Sequence, residues 1–107
     1  MINTIQEGVV FNLADKAEFK EGGFRPLVID SNDKAEHVLM AVDAGVLIPD
    51  HQAPADLIFQ ALEGEAVLQV GGIDHPVKKG DFLFMKKGSI HHLQAVTKFK
   101  FSMVRIY

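Results

Sequence analysis

The chain has 107 residues, of which 48% are hydrophobic and 23% are charged, and its formal net charge is −3. This length suits one compact domain with its own core, and the ordinary composition excludes a disordered or fibrous protein. The slightly acidic balance excludes the broad basic surface on which nucleic-acid binding depends.

The composition also restricts the compartment and the chemistry. Cysteine is absent, which excludes disulfides, thiolate metal sites and cysteine nucleophiles. No apolar run approaches the ~20 residues that a membrane helix needs, and residues 1–10 lack the pattern of a signal peptide. We therefore expect a cytoplasmic protein that binds neither nucleic acid nor a membrane.

Short apolar segments separated by turn residues predict strands along most of the chain. Residues 1–20 are less patterned and hold either a short helical turn or a surface loop. Eight strands are predicted after them, at residues 24–29, 36–42, 46–51, 57–62, 66–70, 81–85, 90–96 and 99–106. Gly71-Gly72 predicts a tight hairpin whose second arm is IDHPV. Many short strands joined in this way predict an all-β sandwich or barrel.

Two stretches carry glycines and histidines at a distinctive spacing: GVLIPDHQAPADLIFQALEG at residues 45–64 and GDFLFMKKGSIHHLQA at residues 80–95. The first resembles motif one of the cupin family at four positions, which are Gly45, Pro49, His51 and Gly64. The second resembles motif two of that family at Gly80, Asp81, Gly88 and His91. This resemblance implies a double-stranded β-helix, or jelly-roll barrel, formed as a single cupin domain over residues 1–107.

The resemblance also implies a metal site, but two of its usual ligands are replaced. Cupins hold a metal with two histidines and a glutamate from motif one and a histidine from motif two. Here Ala53 stands at the second histidine position and Leu57 at the glutamate position, so that only His51 and His91 carry over. They imply a divalent ion such as iron, zinc, manganese or nickel. Such ions generally need at least a third protein ligand.

Four side chains are candidates for that third ligand: Gln60, Asp56, His37 and His92. Gln60 is the first choice, although regular alternation turns Gln60 and Asp56 away from the interior unless Pro54 marks a bulge. His37 could enter the barrel from a neighbouring strand, whereas His92 should point away from it. The alternative stays open that both motif histidines are hydrogen-bonded core residues without a metal.

The interior around the two imidazoles is predicted to be a small apolar pocket for a small-molecule ligand. Alternation and the resemblance place five residues in its lining, namely Leu47, Ala53, Leu57, Phe59 and His37. Two functions fit these residues. One is a metal-dependent enzyme of the dioxygenase or isomerase type, and the other is a metal-free binding module with an apolar two-histidine pocket. The resemblance further implies a homodimer.

Overall fold

A computed structural model of the protein describes residues 5–107. Within these residues one turn of 3-10 helix, Leu13–Lys16, precedes nine strands. The strands are β1 Phe24–Ser31, β2 Ala35–Val42, β3 Leu47–Gln52, β4 Asp56–Glu63, β5 Glu65–Val70, β6 Ile73–Lys78, β7 Phe82–Met85, β8 Ile90–Ala95 and β9 Phe99–Ile106. Over the same part of the chain, no helix has the length and apolar character needed to cross a membrane.

The strands form two antiparallel sheets. Sheet A has five strands in the order β1-β2-β9-β4-β7, and sheet B has four in the order β3-β8-β5-β6. At several points two consecutive strands lie in different sheets, so that the chain crosses repeatedly from one sheet to the other. The predicted all-β jelly-roll architecture is therefore confirmed.

The hairpin between β5 and β6 turns at Gly71 and Gly72, whose φ angles are 57° and 83°. Positive φ at both central residues is the requirement of the tight turn that matches the twist of two antiparallel strands. Val70 then pairs with Ile73, as expected. Strand β6 was missing from the eight predicted strands because its polar residues dilute the apolar signal. It includes Pro76, which is tolerated because β6 lies at a sheet edge.

The main core lies between the two sheets. Sheet A contributes Phe59, Phe99 and Phe101, of which the first two are fully buried. The rings of Phe59 and Phe101 pack with centroids 4.9 Å apart. Sheet B contributes Leu68 and Leu93, which face them. Each of these side chains stabilises the fold by about 1.5–3 kcal/mol through its removal from water.

A second, smaller core lies on the outer face of sheet A. The segment before β1 crosses that face, and its Ala17 packs against Leu39 and Ala41 of β2. Phe19 and Leu13 of the same segment contact this cluster. Strand β2 is therefore buried on both faces, because its alternate residues face the barrel interior.

Candidate functional site

A cavity of about 200 Å³ lies inside the barrel between the two sheets. It opens to solvent beside Phe24 and His51, which are both exposed. Nine of its lining residues are apolar: Phe24, Val38, Met40, Ile48, Phe59, Leu68, Leu93, Phe101 and Met103. The other three are His51, His91 and Arg105. An apolar cavity with a few convergent polar groups is the usual form of a small-molecule site.

Strand β8 places His91 in this cavity by regular alternation. His91, Leu93 and Ala95 are all buried, with at most 3% of each residue exposed. The strand is paired on both sides, with β3 and with β5. Its pairing with β5 runs without a shift from Ala95 to His91, so that alternation keeps these side chains on one face.

Strand β3 places His51 beside His91 through a bulge. Ile48 pairs with Leu93 and His51 pairs with His91, so that two residues of β3 lie opposite one residue of β8. The prediction that Leu47 shares the inward face of His51 is therefore wrong. Leu47 is 49% exposed, and Ile48 lines the cavity in its place.

The two imidazoles are in contact, with ring centroids 4.0 Å apart and planes at 63°. Nδ1 of His51 lies 3.0 Å from the carbonyl oxygen of Pro49, and Nδ1 of His91 lies 3.4 Å from that of Ser89. A carbonyl oxygen can only accept, so these contacts favour the tautomer with hydrogen on Nδ1. Nε2 of each ring is then the atom that accepts a hydrogen bond or binds a metal.

Nε2 of His91 is buried and has no hydrogen-bond partner among the described residues. Such an atom in a native interior requires an explanation, and a bound ligand is one. Burial lowers the pKa of His91 below its ordinary value of 6.5, and the neighbouring His51 lowers it further. The Ser89 carbonyl and Asp50 oppose this shift. His91 is therefore neutral at pH 7, with a lone pair on Nε2.

The structure does not bring the first-choice third ligand to the two histidines. Gln60 is exposed on the outer face of sheet A, where it pairs with Phe82 and Ser102. The register is unbroken from Asp56 to Ala61, and it shifts only beyond Gln60, between Ala61 and Glu63. The carboxylate of Asp56 instead accepts a hydrogen bond from the backbone N–H of Lys87 at 2.9 Å.

The two histidine candidates also lie elsewhere. His37 does share a face of β2 with Leu39 and Ala41, but that face belongs to the outer core of sheet A. Partial burial there lowers the pKa of His37. His92 points away from the cavity, as expected, and its Nδ1 lies 2.6 Å from the carboxylate of Asp50. Neither can join His51 and His91 at one ion.

The five predicted lining residues have different outcomes. Phe59 lines the cavity. Ala53 and Leu57 are buried in the main core but are not part of the cavity wall. Leu47 and His37 lie outside, Leu47 because of the β3 bulge and His37 because alternate residues of β2, Val38 and Met40, face inward.

Arg105 is a cavity residue that sequence reasoning missed. It lies on β9 at the inner positions that also include Phe101 and Met103. Its guanidinium donates through Nη1 to the carboxylate of Glu36, the residue paired with it on β2. Alternation along β9 was the signal that could have found Arg105, because every second residue from Phe99 faces the core.

The donor set does not fit the metal centre that the motifs imply. Among residues 5–107, no three His, Cys, Asp or Glu side chains form a cluster that could hold an ion. Catalytic zinc takes three protein ligands, and non-haem iron takes two histidines and a carboxylate. His51 and His91 supply two nitrogens, while Ala53 and Leu57 supply none.

Comparison with known families agrees with this architecture. The family model described as the cupin domain matches residues 38–107, from β2 to the end of β9. The chain is a cupin. No curated protein matches this cupin, but many solved structures do.

Three of those structures illustrate the likeness. A cupin superfamily protein from Desulfitobacterium hafniense superposes with a TM-score of 0.91 at 18% identity, over 99% of this chain and 97% of the other. A conserved protein of unknown function from Streptococcus pyogenes gives 0.89 at 23% identity, over 98% and 92%. A predicted oxalate decarboxylase from Thermotoga maritima gives 0.72 at 26% identity, over 78% and 79%. For the first two, identity this low shows the shared fold alone.

Proposed function

We propose that this cupin is a metal-free module that binds a small, partly apolar molecule in its barrel. The observation that carries the proposal is the 200 Å³ cavity, whose walls are apolar and whose adjacent imidazoles have no third metal ligand within the described residues. The volume is below the range of about 300–1,000 Å³ typical of drug-sized ligands. The ligand is therefore expected to be smaller than a drug-sized molecule.

Hydrogen bonding would orient this ligand. Nε2 of His91 accepts, because Nδ1 faces the Ser89 carbonyl. A hydroxyl or amide N–H of the ligand would satisfy this buried atom, which has no partner in the described structure. The apolar part of the ligand would pack against Phe59 and Phe101. A buried acceptor that gains a partner contributes about 0.5–1.5 kcal/mol.

Ligand binding can be tested with a fragment library followed by NMR. His91→Phe removes the acceptor while keeping an aromatic ring, and we expect fragments that shift cavity resonances in the wild type to bind about two- to tenfold more weakly. His92→Phe is the matched control, because the neighbouring side chain points away from the cavity. Equal binding by both variants would contradict the proposal.

A metal-dependent dioxygenase or isomerase is the second candidate. It is favoured by the contacts of both Nδ1 atoms with backbone carbonyls, since metal-binding histidines commonly donate their other N–H in this way. Metal analysis after purification without chelator separates the two functions. We expect no stoichiometric iron, zinc, manganese or nickel, and no rise in melting temperature when each is added. A tightly bound ion that is lost in His91→Phe would overturn the metal-free proposal.

We further propose that the chain forms a homodimer through the outer face of sheet A near β7. Phe82 and Phe84 are 61% and 48% exposed there, and Phe84 pairs with the half-buried Ile58. A second copy that covered these side chains would bury apolar surface on both partners. Sedimentation at micromolar concentration should show a dimer that the double variant Phe82→Glu/Phe84→Glu dissociates. A wild-type monomer would contradict this proposal.

A further inference from the structure

Arg105 gives the cavity a cationic group that the proposed binding function does not yet use. It is the one lysine or arginine among the residues that line the cavity. We propose that the ligand is a small carboxylic acid with an apolar body, and that Arg105 binds its carboxylate. This assignment rests on the proposed function, since it names the class of molecule that the same cavity takes.

The position of Arg105 is fixed by a chain of hydrogen bonds. Arg105 lies on β9 opposite Glu36 of β2 and donates to one oxygen of its carboxylate. The other oxygen of Glu36 accepts from the hydroxyl of Ser31 at 3.0 Å. Both carboxylate oxygens of Glu36 thus accept a hydrogen bond, and the carboxylate in turn fixes the position of the guanidinium. A cation positioned in advance loses little rotational freedom when a ligand binds.

Glu36 leaves most of the guanidinium donors unused. A guanidinium has five N–H donors, and the contact with Glu36 is made through Nη1. Nε of Arg105 is buried and has no hydrogen-bond partner among the described residues. A carboxylate can accept two parallel N–H bonds from the Nε and Nη2 side, a geometry that lysine cannot reproduce.

The polar residues of the cavity belong to different sheets. Arg105 extends from sheet A, whereas His51 and His91 extend from sheet B. Nε2 of His91 accepts a hydrogen bond, because Nδ1 faces the Ser89 carbonyl. The rest of the wall is apolar and includes the rings of Phe59 and Phe101. The complementary molecule has a carboxylate, a flat apolar body and a hydroxyl donor.

The pair of probes 4-hydroxybenzoate and 4-hydroxybenzamide tests the charge while keeping the shape. We expect wild-type protein to bind the acid about tenfold more tightly than the amide, because a charge-assisted hydrogen bond replaces a neutral one. Glu36 already neutralises part of the Arg105 charge, so a much larger preference is not expected. Titration followed by NMR measures both dissociation constants.

Arg105→Met should remove this preference, so that acid and amide bind equally. Arg25→Met is the matched control, because Arg25 is exposed, pairs with Glu18 at 3.4 Å and lies outside the cavity. Arg105→Lys keeps the charge without the paired donors, and its preference should be several-fold smaller than that of the wild type. If Arg105→Met fails to fold, the acid-over-amide preference of Arg105→Lys still tests the assignment.

Three results would overturn the assignment. The first is equal binding of acid and amide by the wild type, and the second is an unchanged preference in both Arg105 variants. The third is absence of binding by both probes at millimolar concentration while other fragments occupy the cavity. In each case cavity binding that depends on His91 would leave the proposed function intact. If no fragment of any charge binds in the cavity, the proposed function itself fails.

Discussion

Strands β3 and β8 each supply one histidine to the cavity, but they do so in different ways. Strand β8 is central in sheet B and alternates regularly, whereas β3 is an edge strand. The register of β3 shifts between Ile48 and His51. A strand paired on both sides cannot gain a residue without disturbing two neighbours, while an edge strand can. The site thus combines a histidine on a regular central strand, β8, with a histidine on a bulged edge strand, β3.

The same contrast applies to the two motifs. Motif two keeps its turn, its strand and His91 on the inward face. Motif one keeps the backbone features of the barrel, but Ala53 and Leu57 have joined the main core. In motif one the residues that set the course of the backbone are therefore separable from the residues that would bind an ion. Variants in motif one and in the two strands test this separation.

The largest effect is expected at Gly64, which ends motif one. Its φ angle is +82°, and a Cβ atom there would lie 2.0 Å from the carbonyl oxygen of Lys98. Because that obstacle is backbone, Gly64→Ala should destabilise the protein by more than about 4 kcal/mol or prevent folding. Guanidinium unfolding measures the change.

Gly45, which begins motif one, is the matched control for that variant. Its φ angle is +77°, but nothing lies within 4 Å of an added Cβ. Gly45→Ala should therefore cost only about 1–2 kcal/mol, the penalty of a left-handed alanine. Similar losses for both variants would show that the close contact at Gly64 is unimportant.

The next effect separates the two strands. Leu93 of β8 is 3% exposed in the core, and Leu93→Ala should cost about 2–5 kcal/mol because it leaves a cavity. Leu47 of β3 is 49% exposed, and Leu47→Ala should cost less than about 1 kcal/mol. Urea unfolding of the two variants gives the comparison. A large loss at Leu47 would mean that β3 alternates regularly after all.

A smaller effect is expected from acid. Because burial lowers the pKa of His91 below 6.5, the unfolded chain binds a proton more readily than the folded one. The free energy of unfolding is therefore at its full value above pH 6.5 and falls as the pH drops through the folded pKa of His91. His91→Phe should flatten this decline in urea unfolding between about pH 7.5 and pH 5.

Part of the decline should persist in His91→Phe, because burial lowers the pKa of His37 as well. His37→Phe is therefore the companion variant, and removal of both histidines should flatten the curve most. An unchanged pH dependence in the double variant would show that neither buried imidazole governs acid stability.

The smallest effect is expected at Gln60. Its side chain is exposed on the outer face of sheet A, where it does not contact the two cavity histidines. Gln60→Ala should change stability by no more than about 0.5 kcal/mol and leave cavity binding and metal content unchanged. Loss of a bound metal in this variant would restore Gln60 as the third ligand.

Eight of the nine strands and the β5–β6 hairpin could be predicted because their signals are local. Alternation of apolar residues and the pair Gly71-Gly72 depend only on neighbours in the chain. The inward position of His91 followed for the same reason. Motif resemblance added the jelly-roll fold and the expectation that His51 and His91 share one site, which local signals alone do not provide.

The errors at the site have one physical cause, which is that a face becomes inner or outer only when the sheets pack. The alternation of β2 was correct, yet His37 lies outside because the segment around Ala17 covers the second face of that strand. The bulge at Pro49 depends on the pairing of β3 with β8. Arg105 was missed because which face of β9 is the inner one depends on the same packing.

The bulge on β3 has a consequence for solubility. An exposed sheet edge is a template on which another chain can add a strand and begin an aggregate. On β3 the bulge interrupts the row of backbone groups, Pro49 has no N–H to offer, and Asp50 adds an exposed charge beside it. Each of these features weakens strand addition. The segment that brings His51 to the cavity therefore also disfavours aggregation at this edge.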